Sequence, residues 1–583
     1  MNDTLTYFKR ASQYPTYNET NFSDKINIAL VTNFTDDVLQ KFFIALSLEN
    51  NIYPRLFVEP YKQYFLDLPN RQSKLWAFDA DITYFFFDVH AYGSSDLAVN
   101  DEYFLQLVSQ IEVYAKDRRG HVIVCTFPLP LASAYGNLEG ENRLYNHVVA
   151  ANLHIRELAQ RIENVSVFDV NRIIGLHGDL VVRDLRSLYA FDVPFRNEFF
   201  LAVTREMISY ILAMRGRSRK CLVVDLDNTL WGGVVGEVGA HNIVLGPGYP
   251  GLAYQSFQRV IRSYYDRGII LAIASRNNAE DVEEVFLGNK NMILEKHHFA
   301  SIQLKWLPKS ELLKNIAVEL NIGLDSLVFI DDDAANREEV RLALPTVLVP
   351  ELPSRPEEFV KTLFSLTCFN QLKLTDEDRL RGHMYAAERK RTEILTSPHD
   401  SHEYLSKLGI TIVLHENDVD AIPRLAQLSQ KTNQFNLTTR RYSEEELLRI
   451  IHDGGKLYSA AVSDNFGTYG VVFFAILLPN ENGAAYIDTL LMSCRAMARG
   501  VEYAVFDAIL EQVKLLGYTR LTASFLPTQK NAPARDFLPS LGFLQELDDD
   551  TSFVLSVSEY CTQRPESVEK VLPYITITKH LNV

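Results

Sequence analysis

Leu222-Val223-Val224-Asp225-Leu226-Asp227-Asn228-Thr229-Leu230 is the stretch whose reading decides the fold. A short β-branched run ends in two carboxylates one residue apart. In a strand, residues i and i+2 project to the same side. Asp225 and Asp227 therefore leave the strand end together, at the edge where parallel sheets place their ligands. One carboxylate can attack phosphorus while the other moves a proton. Asn228 and Thr229 add small polar groups directly after them. The same residues also fit a plain strand ending in an Asx turn, so the neighbouring sequence has to decide.

Downstream, residues 269–274 form a second apolar run that stops at Ser275-Arg276-Asn277-Asn278. A hydroxyl at a strand end can hold a phosphoryl oxygen, or it can cap the helix expected over 279–286. Lys309 opens another expected helix, where an ammonium can neutralise a phosphoryl transition state. Residues 327–330 read as a third buried strand, ending in Asp331-Asp332-Asp333. Three adjacent carboxylates repel one another, which favours a cation between them. Oxygen-only ligands suit magnesium.

This order of Asp-x-Asp-x-Thr, Ser, Lys and Asp-Asp resembles the haloacid dehalogenase superfamily of phosphoryl-transfer enzymes. Within it the chain is similar to subfamily IIIC and its FkbH-like branch. Trp231-Gly232-Gly233-Val234-Val235-Gly236-Glu237, Leu245-Gly246-Pro247, Leu320-Asn321-Ile322-Gly323 and Val328-Phe329-Ile330-Asp331-Asp332 carry that resemblance. It implies Asp225 as nucleophile and Asp227 as acid-base. It places Thr229, Ser275 and Lys309 on the phosphoryl oxygens. Mg²⁺ is implied at Asp225, Asp331 and Asp332 and at the main chain of Asp227. Two positions depart from the branch: Arg276 stands where its members generally have Lys, and Asn336 where they usually have Glu. Asp333 is a candidate to replace the lost charge.

At 583 residues the chain is too long for one core. The expected fold class is α/β in three domains. Residues 1–214 alternate strand-like and helical runs, which argues a parallel sheet flanked by helices. The region resembles SGNH-type hydrolases but lacks their Gly-Asp-Ser turn. Thr32 or Thr35 with His177 as base is the catalytic alternative, and a strand-to-helix turn with Thr35 as helix cap is the expected one. Residues 215–366 form the phosphoryl-transfer domain, with Rossmann-like character. Residues 367–404 read as a charged helical linker carrying Arg379, Arg381, Arg389 and Arg391.

Residues 405–583 resemble the α+β fold of GNAT acyltransferases. In that family Arg-x-x-Gly-x-Gly lets backbone amides at a helix N-terminus hold the coenzyme A pyrophosphate. Here Ala498 replaces the middle glycine of Arg495-Ala496-Met497-Ala498-Arg499-Gly500. A Cβ there hinders close approach. Ser493-Cys494-Arg495 is a further FkbH-like signature. A cysteine at a helix N-terminus beside Arg495 and Arg499 is placed to act as a thiolate nucleophile, although strand-end cysteines are also commonly structural. Cys125, Cys221, Cys368 and Cys561 sit in ordinary contexts.

FkbH-like proteins take a glyceryl unit from 1,3-bisphosphoglycerate, remove phosphate, and pass the unit as a thioester to an acyl carrier protein in polyketide-type biosynthesis. The resemblance therefore implies a bifunctional phosphatase and glyceryl transferase with Cys494 as acyl carrier. The alternatives are a Mg²⁺-dependent phosphatase with a coenzyme A-dependent acyltransferase domain, and a carrier-protein docking scaffold. The net charge of -16 argues against nucleic acid and anionic membranes as partners. No apolar run reaches the roughly 18 residues of a spanning helix, and residues 1–13 lack a signal-peptide core. Five cysteines with no close pair suggest a reduced, cytoplasmic protein.

Overall fold

The computed structural model describes residues 2–89, 103–130, 143–372, 401–465, 467–480, 483–497, 499–528, 530–546 and 549–581. Two compact units are present, Met1–Ala213 and Met214–Val583. The chain is a multi-domain α/β protein. No helix among the described residues is long and apolar enough to cross a membrane.

The first unit is built on β1 (Asp24–Thr32), β2 (Ile52–Val58), β3 (Ile82–Phe86), β4 (His121–Cys125) and β5 (Val165–Phe168). All are parallel, in the order β2-β1-β3-β4-β5. Every residue of β3 is buried, because helices such as Tyr103–Lys116 and Arg143–Arg161 cover the sheet. The helix Asp37–Glu49 starts one residue later than a Thr35 cap requires, and its cap position is Asp36. Thr32 is buried, and its hydroxyl donates to Asp36 Oδ2 at 3.0 Å. His177 is exposed at the end of the helix Val170–His177. No hydrogen bond among the described residues joins Thr32 or Thr35 to His177, so neither nucleophile-and-base pair considered from sequence is formed in this structure.

A buried charge cluster also holds this unit. Arg183 donates to Asp88 at 3.1 Å and to Asp179 at 2.9 Å, with 4% of the Arg183 side chain and none of the Asp88 side chain exposed. Asn33 clamps the Asp88 backbone from both sides, at 2.7 and 2.8 Å. Removing one partner of a buried pair leaves the other charge desolvated, which costs about 3–5 kcal/mol. Arg183→Ala should therefore destabilise this unit by about that amount in chemical denaturation. A loss under about 1 kcal/mol would mean the pair contributes no more than a surface one.

The second unit contains two sheets. In the first, β6 (Cys221–Val224), β7 (Ile270–Ser275), β8 (Phe299–Leu304) and β9 (Leu327–Ile330) run parallel in the order β8-β7-β6-β9. β6 and β9 are buried throughout. Alternation splits their side chains between two cores. Leu222 and Val224 pack with Phe257, Ile261 and Ile330, while Cys221 and Val223 pack with Leu312, Ile316 and Phe329.

The second sheet has nine strands: β10 (Ile410–Glu416), β11 (Phe435–Asn436), β12 (Lys456–Asp464), β13 (Gly467–Pro479), β14 (Ala484–Met492), β15 (Arg520–Ser524), β16 (Leu544–Glu546), β17 (Asp549–Ser556) and β18 (Ile575–His580). Most pairs are antiparallel, but β10–β18 and β14–β15 are parallel, and β14 and β15 diverge after Ile487. Beyond that point β11 pairs with Leu491 and Met492. Phe435 and Asn436 thus add a short strand just after the helix Ile422–Lys431. Residues 373–400, with the four linker arginines, and Ala498 lie outside the described residues.

Candidate active site

The register of the four-stranded sheet assembles the site. Val224 pairs with Ile330 and with Ile273, so β6 and β9 end at one level while β7 runs on past it to Ser275. Asp225 N–H donates to Ile330 O at 3.0 Å, which sets Asp225 beside Asp331. Carboxylate oxygens of Asp225, Asp331 and Asp332 all lie within 4.8 Å of one another.

Lys309 opens the helix Lys309–Glu319 and is 2% exposed. Its Nζ donates to Asp225 Oδ1 at 2.6 Å and to Ala274 O at 2.8 Å, and lies 3.1 Å from Asp331 Oδ2. Two hydrogen bonds and an ion pair therefore hold the ammonium. Glu339 anchors this helix start by accepting from the backbone N–H and the hydroxyl of Ser310.

The remaining residues read from sequence gather around the same edge. Ser275, the last residue of β7, is buried, and Asn277 Nδ2 donates to its hydroxyl at 3.2 Å. Ser275 does not cap the following helix; Asn278 holds that position. Thr229 is fully buried, and its hydroxyl donates to Asp332 Oδ1 at 3.1 Å and accepts the Asp332 N–H at 3.2 Å. In this structure Thr229 orients Asp332. Asp227 Oδ1 accepts from Trp231 Nε1 at 2.9 Å and from Val235 N–H at 3.1 Å.

At the third motif, the departure at Asn336 and its candidate replacement Asp333 both have a place. Asn336 Nδ2 donates to the two Asp331 oxygens at 3.2 Å each, so it orients the carboxylate without adding charge. Asp333 does not replace that charge in the cluster. It caps the helix Ala334–Ala343 by accepting the Ala335 N–H. Arg337 donates to the carbonyls of Asp331 and Asp332 and reaches Glu351. Trp231, Asn277, Arg337 and Glu339 act here without any motif role read from sequence. Polar side chains close in number to the strand ends were the available signal.

Cys494 lies on the other sheet of the unit. It begins the three-residue 3-10 turn Cys494–Ala496 after β14 and is partly buried. The long helix begins at Val501, so Cys494 is not in its first turn. Arg499 donates to Met497 O and lies over the Tyr469 ring. The contact of Lys530 with Asp325, 2.7 Å, joins the two sheets just before β9 begins. Gly216, ahead of β6, comes close to Gln430 O. Both joins lie at the strand-start edge, away from Asp225.

No protein-family model and no curated protein matches the chain. Among solved structures it is similar to the N-terminal part of the protein BF1531 from Bacteroides fragilis, containing a phosphatase domain and complexed with Mg. The two are 26% identical with a TM-score of 0.60, over 63% of this chain and 99% of that one. The ribosomal-protein-S18-alanine N-acetyltransferase from Escherichia coli is 14% identical with a TM-score of 0.20, over 25% of this chain and 94% of that one. A GNAT-family acetyltransferase from Staphylococcus aureus Mu50 is 11% identical with a TM-score of 0.21, over 25% and 99%.

The carboxylate cluster fits a hard divalent cation such as Mg²⁺. It offers only oxygen donors, and its electrostatics favour added positive charge. Burial raises the Asp331 carboxyl above its usual range, and the charge of Asp225 adds to this against Lys309. Burial, then Asp331 and Asp225, pushes Asp332 up to about 6. An acid whose pKa is raised on folding stabilises the fold only while protonated. For Asp332 that contribution is lost as the pH rises from about 4 to about 6. A bound cation competes with the proton and reverses the penalty. Mg²⁺ should therefore raise Tm more at about pH 7.5 than at about pH 5, and Asp332→Asn should shrink the difference. Equal shifts at both pH values in thermal unfolding would show that these carboxylates do not bind the ion.

Proposed function

We propose that Asp225 is the nucleophile of a Mg²⁺-dependent phosphatase of the haloacid dehalogenase type. The observation that carries this reading is the cluster of Asp225, Asp331 and Asp332 around buried Lys309. The similarity to a phosphatase-containing structure supports it. Asp225 attacks phosphorus, the bond from phosphorus to the leaving oxygen breaks, and Asp227 supplies the proton to that oxygen. Water then attacks the phosphoaspartate, gives its proton to Asp227, and releases phosphate. Ser275 and Lys309 hold phosphoryl oxygens. Mg²⁺ held by Asp225, Asp331 and Asp332 supplies positive charge against the phosphoryl oxygens when bound.

The FkbH-like resemblance extends the reading to a second chemistry in a three-domain cytoplasmic enzyme, with domains at 1–214, 215–366 and 405–583. The Cys494 thiolate attacks the mixed anhydride of 1,3-bisphosphoglycerate. A C–S bond forms, the carbonyl-to-phosphate C–O bond breaks, and phosphate leaves. The phosphate on the three-carbon unit is removed by the Asp225 centre. The thiol of an acyl carrier protein then attacks the glyceryl carbonyl, a new C–S bond forms, the bond to Cys494 breaks, and Cys494 leaves as the thiolate. The joins at the strand-start edge support two separable chemistries.

Asp225→Asn keeps the side-chain shape and removes the nucleophile, so phosphate release from a simple ester should fall to background. Cys494→Ala should keep that activity while losing the covalent three-carbon adduct formed from 1,3-bisphosphoglycerate. Phosphate assay and intact-mass spectrometry on both variants test this. Retained turnover in Asp225→Asn overturns the phosphatase reading, and an adduct persisting in Cys494→Ala overturns the role of that cysteine.

A further inference from the structure

The stretch Trp231-Gly232-Gly233-Val234-Val235 has a physical task that the reaction scheme leaves unassigned. Trp231 is fully buried, and a bridge pairs its backbone with that of Asp227. Asn228 adopts a left-handed conformation (φ 54°) and accepts the Gly233 N–H at 2.8 Å, which turns the chain back on itself. Gly232 exchanges backbone hydrogen bonds with Val244. A Cβ at Gly232 would lie 3.0 Å from the Tyr254 ring and 3.1 Å from Val244 Cβ, so a side chain there needs those neighbours to give by a few tenths of an ångström. Gln258, also buried, holds Leu230 O at 2.8 Å and ties the segment to the helix Gly251–Asp266.

The result is a rigid arc with two donors on one atom. The Trp231 indole N–H and the Val235 backbone N–H both point at Asp227 Oδ1. An oxygen accepting two hydrogen bonds has no room for a proton of its own. Asn277 faces the same carboxyl group from the β7 side.

We propose that Trp231 is a positioning residue that fixes the Asp227 carboxyl so that Oδ2, and only Oδ2, exchanges the proton with the reacting oxygens. This rests on the phosphoryl-transfer reading of Asp225. In the first step the proton on Oδ2 moves to the leaving oxygen as the bond to phosphorus breaks. In the second step Oδ2 takes a proton from the attacking water. Losing the indole donor leaves the carboxyl with Val235 N–H and Asn277 alone, which loosens it and dilutes the productive orientation. The loss is felt where the leaving group needs a proton. An aryl oxide leaves as an anion and needs little help, whereas an alkoxide needs it fully.

The test compares p-nitrophenyl phosphate with glycerol 3-phosphate on the full chain with Mg²⁺. Trp231→Phe keeps an apolar ring and deletes the donor. It should lower kcat/KM for glycerol 3-phosphate by about 10- to 100-fold, with less than about a threefold change for the aryl ester. Replacing tryptophan by benzothienylalanine, an isostere with sulfur in place of N–H, should reproduce the effect even if the Phe variant folds poorly. Replacement by 5-fluorotryptophan, which keeps the N–H, should behave as wild type. Equal losses on both esters, or no loss on either, overturn the positioning role. Absence of wild-type hydrolysis of both esters overturns the phosphatase reading itself.

Discussion

A buried ammonium lies between two carboxylates at the candidate active site. Lys309 pairs with both Asp225 and Asp331 and also donates to Ala274 O. Buried charges are tolerated only when paired and hydrogen-bonded, so the sheet register, the helix start and the motif loops must agree to within a hydrogen-bond length. The pairing of Val224 with Ile330 brings the two carboxylates side by side. Glu339 fixes the first turn that carries Lys309. Thr229, Asn336 and Arg337 orient Asp332 and Asp331. One ammonium does not balance the whole acidic group: burial first, and the neighbouring carboxylates after it, raise the carboxyls of Asp331 and Asp332.

The strand-end residues of this site were legible in the sequence because each follows a short apolar run. Asp225, Ser275 and Asp331 are placed by period-two alternation and by where the apolar residues stop. Lys309 was legible as a helix start. The residues that hold them were not. Trp231 reaches Asp227 through a turn that depends on the left-handed Asn228, and Glu339 reaches Ser310 across 29 positions of chain. Such contacts follow from tertiary packing, and one sequence carries no period that announces them. Asp333 illustrates the converse. It sits in a run of acids that reads as metal-binding, yet its local geometry makes it a helix cap.

In the other parts of the chain, element type was easier to read than role. The parallel sheet of the first unit follows from its alternation of runs, but Thr32 proves to be tied to Asp36. Around Cys494 the expected helix begins later, at Val501. Phe435 and Asn436 pair as a strand against the end of β14. Two-residue strands have too little pattern to be seen before their partner is known.

Chemical trapping at Asp225 tests the central claim most directly. During turnover of a phosphate ester with Mg²⁺, rapid quenching followed by borohydride reduction converts an aspartyl phosphate to homoserine. Peptide mass spectrometry should find that conversion at Asp225 and at no other carboxylate, and only when substrate is present. Phosphate release without a reduced Asp225, or with the label on another residue, would contradict a mechanism in which this carboxylate attacks phosphorus.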